Sequence, residues 1–242
     1  MSYLRFLFLG LAPILFFVFG CTFKPDLANL DLSKPDFKSI NPTAAYFYPL
    51  KSEPQVYMYR NIANGLEEEF HRIYTITDQA GEHLIVERYS SDFRILEALN
   101  YNIDSLNILD HMVVNRFQQK EKALIYKNGL FPMDLKEELW FASKFSGLTD
   151  STVILYEKKR KFLEKKSTVI LKKNLKTLVF NDKIIQSELN PYTRKENINE
   201  AEMQSLFAEG LGLVEWYSKD KKVHFRLEKI FSQKEWVKII AR

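Results

Sequence analysis

Residues 69–77 read Glu-Phe-His-Arg-Ile-Tyr-Thr-Ile-Thr, a run of aromatic and β-branched side chains with a period of two. Phe70 and Tyr74 fall on one face of such a strand, and His71 and Ile73 fall on the other, because successive side chains point to opposite sides. Gln-Ala-Gly-Glu follows at 79–82 and is typical of a hairpin turn. This part of the chain therefore predicts an antiparallel β-hairpin.

The same period of two recurs through most of the chain after residue 46. It predicts further strands at 84–89, 93–103, 106–117, 123–127, 152–162, 168–172, 177–189, 211–218 and 223–230. In the third of these strands, counting from 69–77, Glu97 interrupts an otherwise apolar face. The fold class is predicted to be mainly β, an antiparallel meander of about ten strands that curls into a half-barrel or an open barrel.

Two short segments break this period and predict helices. Residues 134–145 begin with Asp-x-x-Glu, the spacing of a capping box, and Gly147 follows them. Residues 199–208 begin with Asn-x-x-Glu and are followed by Gly210. We expect one of these helices to lie across the concave side of the sheet.

The N-terminus has the layout of a secretory signal peptide. Arg5 precedes an apolar run of 15 residues, 6–20, which is shorter than the roughly 20 residues that span a bilayer and contains Pro13. Cys21, the only cysteine of the chain, follows directly. An ordinary secretory signal or an uncleaved transmembrane anchor are the alternatives.

Residues 18–21, Val-Phe-Gly-Cys, resemble the lipobox of bacterial lipoproteins. In those proteins the cysteine thiol takes a diacylglycerol and becomes the new N-terminus after cleavage, so the resemblance implies acylation of Cys21, with chains such as palmitate, and attachment to a membrane. Thr22 follows where aspartate would retain an enterobacterial lipoprotein in the inner membrane, which favours the outer membrane. Residues 22–26 lack an acidic export signal, which favours the periplasmic face.

The sequence thus divides into three parts. Residues 1–20 are the signal peptide, residues 21–45 are a lipidated N-terminus and tether broken by Pro25 and Pro35, and residues 46–242 form a single β-rich domain. The mature length suits one well-buried domain.

The charge is uneven along the chain. The net charge is +4, yet residues 151–183 hold ten basic and three acidic side chains. The basic run comprises Lys158, Lys159, Arg160, Lys161, Lys165 and Lys166. Such a strip is able to bind an anionic partner, such as lipid phosphates or an acidic protein surface, but lysines also protect the outer face of an edge hairpin against aggregation. Residues 67–69, three glutamates, are predicted to be solvated.

One motif resembles a known family. Residues 207–217 read Phe-Ala-Glu-Gly-Leu-Gly-Leu-Val-Glu-Trp-Tyr, and residues 46–50, Tyr-Phe-Tyr-Pro-Leu, are followed by Tyr-Met-Tyr at 57–59. These segments resemble parts of uncharacterised envelope lipoproteins with a half-β-barrel similar to the carriers LolA and LolB. The resemblance implies a binding or carrier role without catalytic residues. Gly210 and Gly212 are expected to let another segment approach closely.

No catalytic or metal-binding motif is found. The sequence contains no Gly-x-Ser-x-Gly elbow, phosphate-binding glycine loop or His-Glu-x-x-His. The four histidines share no close ligand spacing, and each is expected to be buried and hydrogen-bonded. We therefore expect no enzyme activity, no cofactor, no metal and no nucleic-acid partner.

Two functional hypotheses remain open. The first is a noncatalytic envelope lipoprotein that binds an apolar or acylated ligand in a curved sheet. The second is an accessory or adapter subunit of an outer-membrane or periplasmic protein assembly. The candidate ligand-binding residues are Trp140 and Phe141, on the first predicted helix, and Trp216 and Tyr217, on a late strand.

Overall fold

A computed structural model describes residues 41–79, 81–115, 117–147 and 152–241; the predicted signal peptide, Cys21 and residues 22–40 of the predicted tether lie outside these ranges. The described residues form one antiparallel sheet of thirteen strands. The first six are β1 Gln55–Asn61, β2 Glu68–Asp78, β3 Gly81–Tyr89, β4 Ile95–Asn102, β5 Ile108–Val114 and β6 Lys120–Lys122. The other seven are β7 Leu124–Asn128, β8 Leu139–Ser146, β9 Val153–Ile170, β10 Lys173–Leu189, β11 Glu196–Ala208, β12 Gly212–Ser218 and β13 His224–Ser232. A 3-10 turn, Ala44–Tyr46, precedes β1, and helix α1, Gln233–Ile240, follows β13.

The sheet curls into a nearly closed barrel. Strands β1 to β6 and strands β7 to β13 each form a meander, and β1 pairs with β13, so that the strand order ends with β6 on one side and β7 on the other. Only Ala123 separates these two end strands in the chain, and its N–H donates to the carbonyl oxygen of His111 at 2.8 Å. An isolated bridge between Asn107 and Gly129 also crosses this seam.

The predicted hairpin at 69–77 is confirmed. Strand β2 pairs with β3, and Asp78 lies opposite Gly81, whose φ of +120° suits a glycine at a tight turn. The alternation places His71 and Ile73 in the barrel and Phe70 outside it.

Two hydrophobic cores follow from this alternation. The larger core fills much of the barrel and contains Tyr57, Leu84 and Phe180. The smaller core lies outside the sheet, where Trp236 of α1 packs on Phe70 with a ring-centroid distance of 5.2 Å. Helix α1 begins with a capping box formed by Ser232 and Glu235, although its sequence was not predicted to be helical.

The segment before β1 closes part of the barrel. Residues 41–45, assigned by the sequence to the tether, include the buried Asn41, Thr43 and Ala44. Residues 46–50, which resemble a first strand, instead contain the end of the 3-10 turn and extended chain. Phe47 packs on Tyr101 and Phe131 inside the barrel at 5.1 and 4.9 Å between centroids.

The close approach predicted at the two glycines is found at Gly212, whereas a Cβ on Gly210 would meet no atom within 4 Å. A Cβ on Gly212, which has φ +84°, would collide with the ring of Tyr48. The N–H of Gly210 donates to the carbonyl oxygen of Ala45 at 2.7 Å. The turn between β11 and β12 therefore holds the N-terminal segment in place.

Both helix predictions are wrong. Residues 134–138 form turns, and residues 139–146 are strand β8, which pairs with β9 at every position from Leu139 to Ser146. Residues 199–208 belong to β11. Glu200 of this strand forms a cross-strand ion pair of 3.1 Å with Lys183 of β10. Pairing with long neighbouring strands outweighs the local capping patterns. The sheet has three strands more than the predicted ten: β1, β6, β8 and β11 were not predicted as strands, whereas the strands predicted at 152–162 and 168–172 both belong mainly to the single strand β9.

None of the helices in the described part of the chain is long and apolar enough to cross a lipid bilayer.

Candidate functional site

A cavity of about 240 Å³ lies in the lumen of the barrel. Its wall combines aromatic residues with six charged side chains, three acidic and three basic. The charged ones are Glu69, Arg88, Glu97, Lys158, Arg160 and Asp182. Since isolated charges are costly to bury, each must be compensated by a partner within the lumen.

The first group of partners, here the Arg88 cluster, comprises Glu69, His71, Arg88, Glu97 and His111. The register of β1 to β5 places these side chains on the inner face, with His71 opposite Arg88 and Arg88 opposite Glu97. Arg88 donates through Nε and Nη2 to the two oxygens of Glu69, at 2.8 and 3.0 Å, and through Nη1 to Glu97 at 2.5 Å. One guanidinium thus holds two carboxylates.

The two histidines extend this cluster in opposite directions. His71 Nε2 lies 2.6 Å from Glu69 Oε1, and its ring stacks on Trp216 at an interplanar angle of 16°. His111 Nε2 lies 3.1 Å from Glu97 Oε2, while its Nδ1 lies 3.0 Å from the hydroxyl of Ser143 on β8. His111 therefore links the two sides of the barrel seam.

The cationic neighbours of the Arg88 cluster favour the ionised form of its two carboxylates. Burial alone would raise the pKa of Glu69, but Arg88 and His71 outweigh it and lower this pKa to about 2. Burial likewise opposes ionisation of Glu97, yet Arg88 and His111 hold its pKa well below the usual range. Burial lowers the pKa of His71, against the effect of Glu69, so the ring is neutral at pH 7. Because Nε2 faces an ionised oxygen, we place the proton of the neutral ring there.

The second group, here the Asp182 cluster, lies on β9, β10 and β11 and comprises Lys158, Arg160, Asp182 and Ser205. Arg160 forms a bidentate pair with Asp182, with Nε–Oδ1 and Nη2–Oδ2 distances of 2.7 and 2.9 Å, and also donates to the carbonyl oxygen of Leu130. Lys158 Nζ lies 2.9 Å from Asp182 Oδ2, and the Ser205 hydroxyl donates to the same oxygen. Burial opposes ionisation of Asp182, but Arg160 and Lys158 hold its pKa well below the usual range.

Two phenols lie between the clusters. Tyr101 and Tyr156 both interact electrostatically with Arg160 of one cluster and with Arg88 and Glu97 of the other. Burial raises the pKa of each phenol, so both hydroxyls are protonated at neutral pH. Neither hydroxyl donates to a protein group within the described residues, which leaves two hydrogen-bond donors at the cavity wall.

The remainder of the wall is aromatic. Phe131 and Phe207 pack edge to face at 5.1 Å, and Phe207 also packs against the guanidinium of Arg160 at 4.9 Å. On the opposite side, Trp216 contacts Tyr59 at 4.8 Å between centroids. The cavity consequently offers flat apolar surfaces beside fixed charges and hydroxyl groups, the combination that orients small ligands in binding pockets.

The four predicted ligand-binding residues divide between the two faces of the sheet. Phe141 and Trp216 line the cavity. Trp140 lies on the outer face of β8, where it is 40 % exposed, and Tyr217 donates its hydroxyl to Gln204 on the outer side of β11. Adjacent strand residues cannot share one face, so each predicted pair contributes one residue to the lumen.

The predicted basic patch is divided in the same way. Lys158 and Arg160 point into the lumen and belong to the Asp182 cluster. Lys159 lies on the outer face, Lys161 and Lys165 are exposed, and Lys166 is half-buried. Residues 158–160 are not on an edge, because this part of β9 pairs with β8 and β10. Lys158 and Arg160 therefore do not belong to an outer basic strip, and binding of an anionic partner by the other lysines stays a prediction.

Several residues of the site were missed in the sequence. The sequence predicts Glu69 as part of a solvated glutamate run and Glu97 as an interruption of an apolar face. In the structure both side chains accept hydrogen bonds from Arg88. Arg88 and Asp182 gave no local signal at all. By contrast, the expectation that the histidines are buried and hydrogen-bonded is confirmed for His71, His83 and His111 and holds in part for the half-buried His224.

No candidate metal site is found among the described residues. Across the described residues, no group of three or more His, Cys, Asp and Glu side chains converges at metal-binding distance.

The fold and the site of the described residues define a nearly closed β-barrel with a charged lumen. No known protein family and no curated protein matches the chain. Two solved structures are similar to it. The first is a candidate lipoprotein from Parabacteroides distasonis, with 12 % identity, a TM-score of 0.47 and coverage of 77 % of this chain and 98 % of that chain. The second is a candidate exported protein with a YmcC-like fold from Bacteroides fragilis, with 11 % identity, a TM-score of 0.40 and coverage of 77 % of this chain and 99 % of that chain. Neither is described as a LolA-like or LolB-like carrier. Similarity of this degree assigns no function, ligand or location to the chain.

Proposed function

We propose that this protein is a lipid-anchored, noncatalytic envelope protein that binds a small amphipathic ligand in the lumen of its barrel. The observation that carries the proposal is the cavity between the two charged clusters, with its free phenol hydroxyls and its aromatic wall. Two clusters of buried charge are expensive to maintain, and a ligand site is a reason to retain them.

The size and chemistry of the cavity define the class of ligand. Its volume of about 240 Å³ is below the roughly 300–1,000 Å³ of pockets for drug-sized ligands, so the ligand is small. Because Arg88 and Arg160 compensate the carboxylates, a neutral or zwitterionic polar group fits better than a strongly charged one. The apolar part of the ligand packs on Phe131, Phe141 and Trp216. An acylated ligand would therefore be short, or would place only its polar end in the lumen.

Anchoring is proposed at Cys21, on the strength of the Val-Phe-Gly-Cys motif. Acyl chains on this thiol would attach the protein to the outer membrane on its periplasmic side. The polar and charged wall favours binding over catalysis, because each lumen carboxylate is already held by a guanidinium or an ammonium group and is a poor general base.

The experiment is native mass spectrometry of the mature chain with Cys21→Ser, exported to the periplasm and isolated without detergent, because acyl chains on Cys21 would hold the native protein in the membrane. We expect a bound small molecule in addition to the polypeptide mass, and its loss in an Ile184→Trp variant, because Ile184 lines the cavity. Ile185→Trp is the matched control, since the next residue of β10 lies on the outer face. Equal retention of the adduct by both variants would place the ligand elsewhere, and an apo mass that added lipids and metabolites leave unchanged would remove the proposal.

An adapter role is the second candidate. The observation that favours it is the end of the β10–β11 hairpin, where residues 196–202 are exposed at every position and Tyr192 in the turn is 82 % exposed. A projecting hairpin of this kind suits contact with another protein. This role is tested by pull-down from native membranes. The parent protein, with its hairpin intact, is compared with protein that carries Tyr192→Ser and Ile198→Ser.

A further inference from the structure

The outer surface of β7 and β8 carries a compact group of exposed apolar side chains that the lumen site does not use. Leu124 is 58 % exposed, Tyr126 53 % and Trp140 40 %. A shallow groove beside them continues over Ala142 and Leu155. Exposed aromatic and aliphatic residues grouped in this way mark an interaction surface.

Three lysines surround this apolar group. The ammonium nitrogens of Lys127 and Lys159 lie 5.1 and 5.0 Å from the centroid of the Trp140 ring. The Nε1 of Trp140 donates to Glu157. Lys144 lies opposite Leu124 in the β7–β8 register and is exposed. None of the three lysines forms a salt bridge within the described ranges. We call Leu124, Tyr126, Lys127, Trp140, Lys144 and Lys159 the Trp140 face.

The first described residues contact the connection that leads into β8. Asn41, the first described residue, contacts Met133 through its side-chain amide, and Thr43 donates to the carbonyl oxygen of Pro132. Both partners lie in the connection between β7 and β8, the strand that carries Trp140. Residues 22–40, 19 residues, separate Cys21 from Asn41, a reach of about 65 Å when fully extended.

We infer that the Trp140 face docks on the anionic surface of the membrane that holds the anchor. This inference rests on the proposed acylation of Cys21. Trp and Tyr favour the level of the lipid headgroups, and each neighbouring lysine gains from the negative surface potential. An ammonium group beside an indole, with no carboxylate partner, remains available for a lipid phosphate. Docking turns the outer side of β7 and β8 toward the bilayer.

The test uses the mature chain, residues 21–242, with Cys21→Ser, so that no acyl chain contributes to binding. Vesicles of phosphatidylcholine alone are compared with vesicles that also contain phosphatidylglycerol, by co-sedimentation at low and at physiological salt. We expect sedimentation with the anionic vesicles only, and a decrease on adding salt.

Two triple variants locate the contact. Lys127→Gln, Lys144→Gln and Lys159→Gln together should reduce partition onto anionic vesicles at least tenfold, at a typical gain of roughly fivefold per lysine. Lys165→Gln, Lys172→Gln and Lys173→Gln are the matched control, since these lysines are also exposed and unpaired within the described ranges but lie near the β9–β10 turn. Unchanged thermal unfolding shows that both variants are folded.

Three results would overturn the inference: no sedimentation of the parent chain at low salt, equal losses in the two triple variants, or capture of an envelope protein instead of lipid by a photo-crosslinker at position 126. The anchor itself is tested separately, by comparing the membrane fractions of cells that hold the wild-type protein and the Cys21→Ser variant. If Cys21 is not an anchor, the wild-type protein leaves the membrane fraction in the same way as the variant. The lumen proposal has its own readout in the native mass spectrum.

Discussion

Arg160 on β9 and Asp182 on β10 lie directly opposite each other and form a two-point ion pair inside the barrel, with side chains that are 5 % and 1 % exposed. Lys158 approaches the same carboxylate from two residues away on β9. The pair holds three strands together through Ser205 on β11 and fixes one charged side of the cavity.

Removal of the Asp182 charge should be strongly destabilising. Asp182→Asn leaves Arg160 and Lys158 buried without a carboxylate, and breaking a buried pair in this way typically costs about 3–5 kcal/mol. Urea denaturation followed by circular dichroism measures the change. The exposed pair of Lys183 and Glu200 is the control, because Glu200→Gln should cost less than about 1 kcal/mol. Equal effects of the two substitutions would contradict a structural role for the Asp182 cluster.

Stability should fall as the solution is acidified. The pKa of Glu69 is lowered to about 2, and those of Glu97 and Asp182 are also lowered, so the folded chain stays ionised where the unfolded chain takes up protons, near pH 4. The resulting stabilisation is complete above about pH 4.5 and is lost toward pH 2. His71, whose pKa is lowered by burial, acts in the same direction below about pH 6.5, because the unfolded histidine gains its proton first.

Unfolding free energies at a series of pH values from neutral to about 3 test this linkage. Glu69→Gln should flatten the acid part of the profile, since one of the three carboxylates no longer titrates. A wild-type profile that is level down to pH 3 would rule out ionised carboxylates in the lumen.

Two neighbouring glycines should respond differently to substitution. Gly210 and Gly212 both have positive φ, but a Cβ on Gly210 meets no atom within 4 Å, whereas a Cβ on Gly212 would collide with Tyr48. Gly210→Ala should cost about 1–2 kcal/mol for the backbone conformation alone, and Gly212→Ala should cost more. A Tyr48→Ala background should recover part of the excess at Gly212 but nothing at Gly210, as measured in a double-mutant cycle. Identical costs at both glycines would mean that Tyr48 does not pack there.

The small core outside the sheet should depend on one side chain. Trp236 is 3 % exposed and packs on Phe70, Tyr89 and Phe93. Trp236→Ala should lower the unfolding free energy by about 3–5 kcal/mol. Val237, the next residue of α1, is 49 % exposed, so Val237→Ala should change stability by less than about 0.5 kcal/mol. Comparable losses for the two variants would indicate that α1 does not pack on the sheet.

The strands were predictable because their side chains alternate locally. Residues 69–77 predict β2 within one residue at either end, and the strand predicted at 123–127 differs from β7, residues 124–128, by one residue at either end. The two predicted helices failed because Asp134 and Asn199 imitate helix caps, while the contacts that decide these segments come from β9 and β10, which lie elsewhere in the sequence. The helix that exists carries the same kind of signal at Ser232 and Glu235 and lies next to a strongly alternating strand.

The lumen site was less predictable than the strands. A charged residue on a strand is ambiguous, because the sequence does not show whether its face meets solvent or a partner on the adjacent strand. Arg88 compensates Glu97 only in the register that places them opposite each other, and Arg160 compensates Asp182 in the same way. Phe141 and Trp216 were identified from aromatic content alone, which explains why their outward neighbours Trp140 and Tyr217 were chosen with them.

The most direct test of the central proposal is a crystal structure of the mature chain with Cys21→Ser, exported to the periplasm and isolated without detergent. We predict a bound small molecule in the lumen, with its polar group near the Tyr101 and Tyr156 hydroxyls and its apolar part against Trp216 and Phe141. A lumen that contains only ordered water between the Arg88 and Asp182 clusters would contradict the proposal and would leave the ion pairs with a structural role alone.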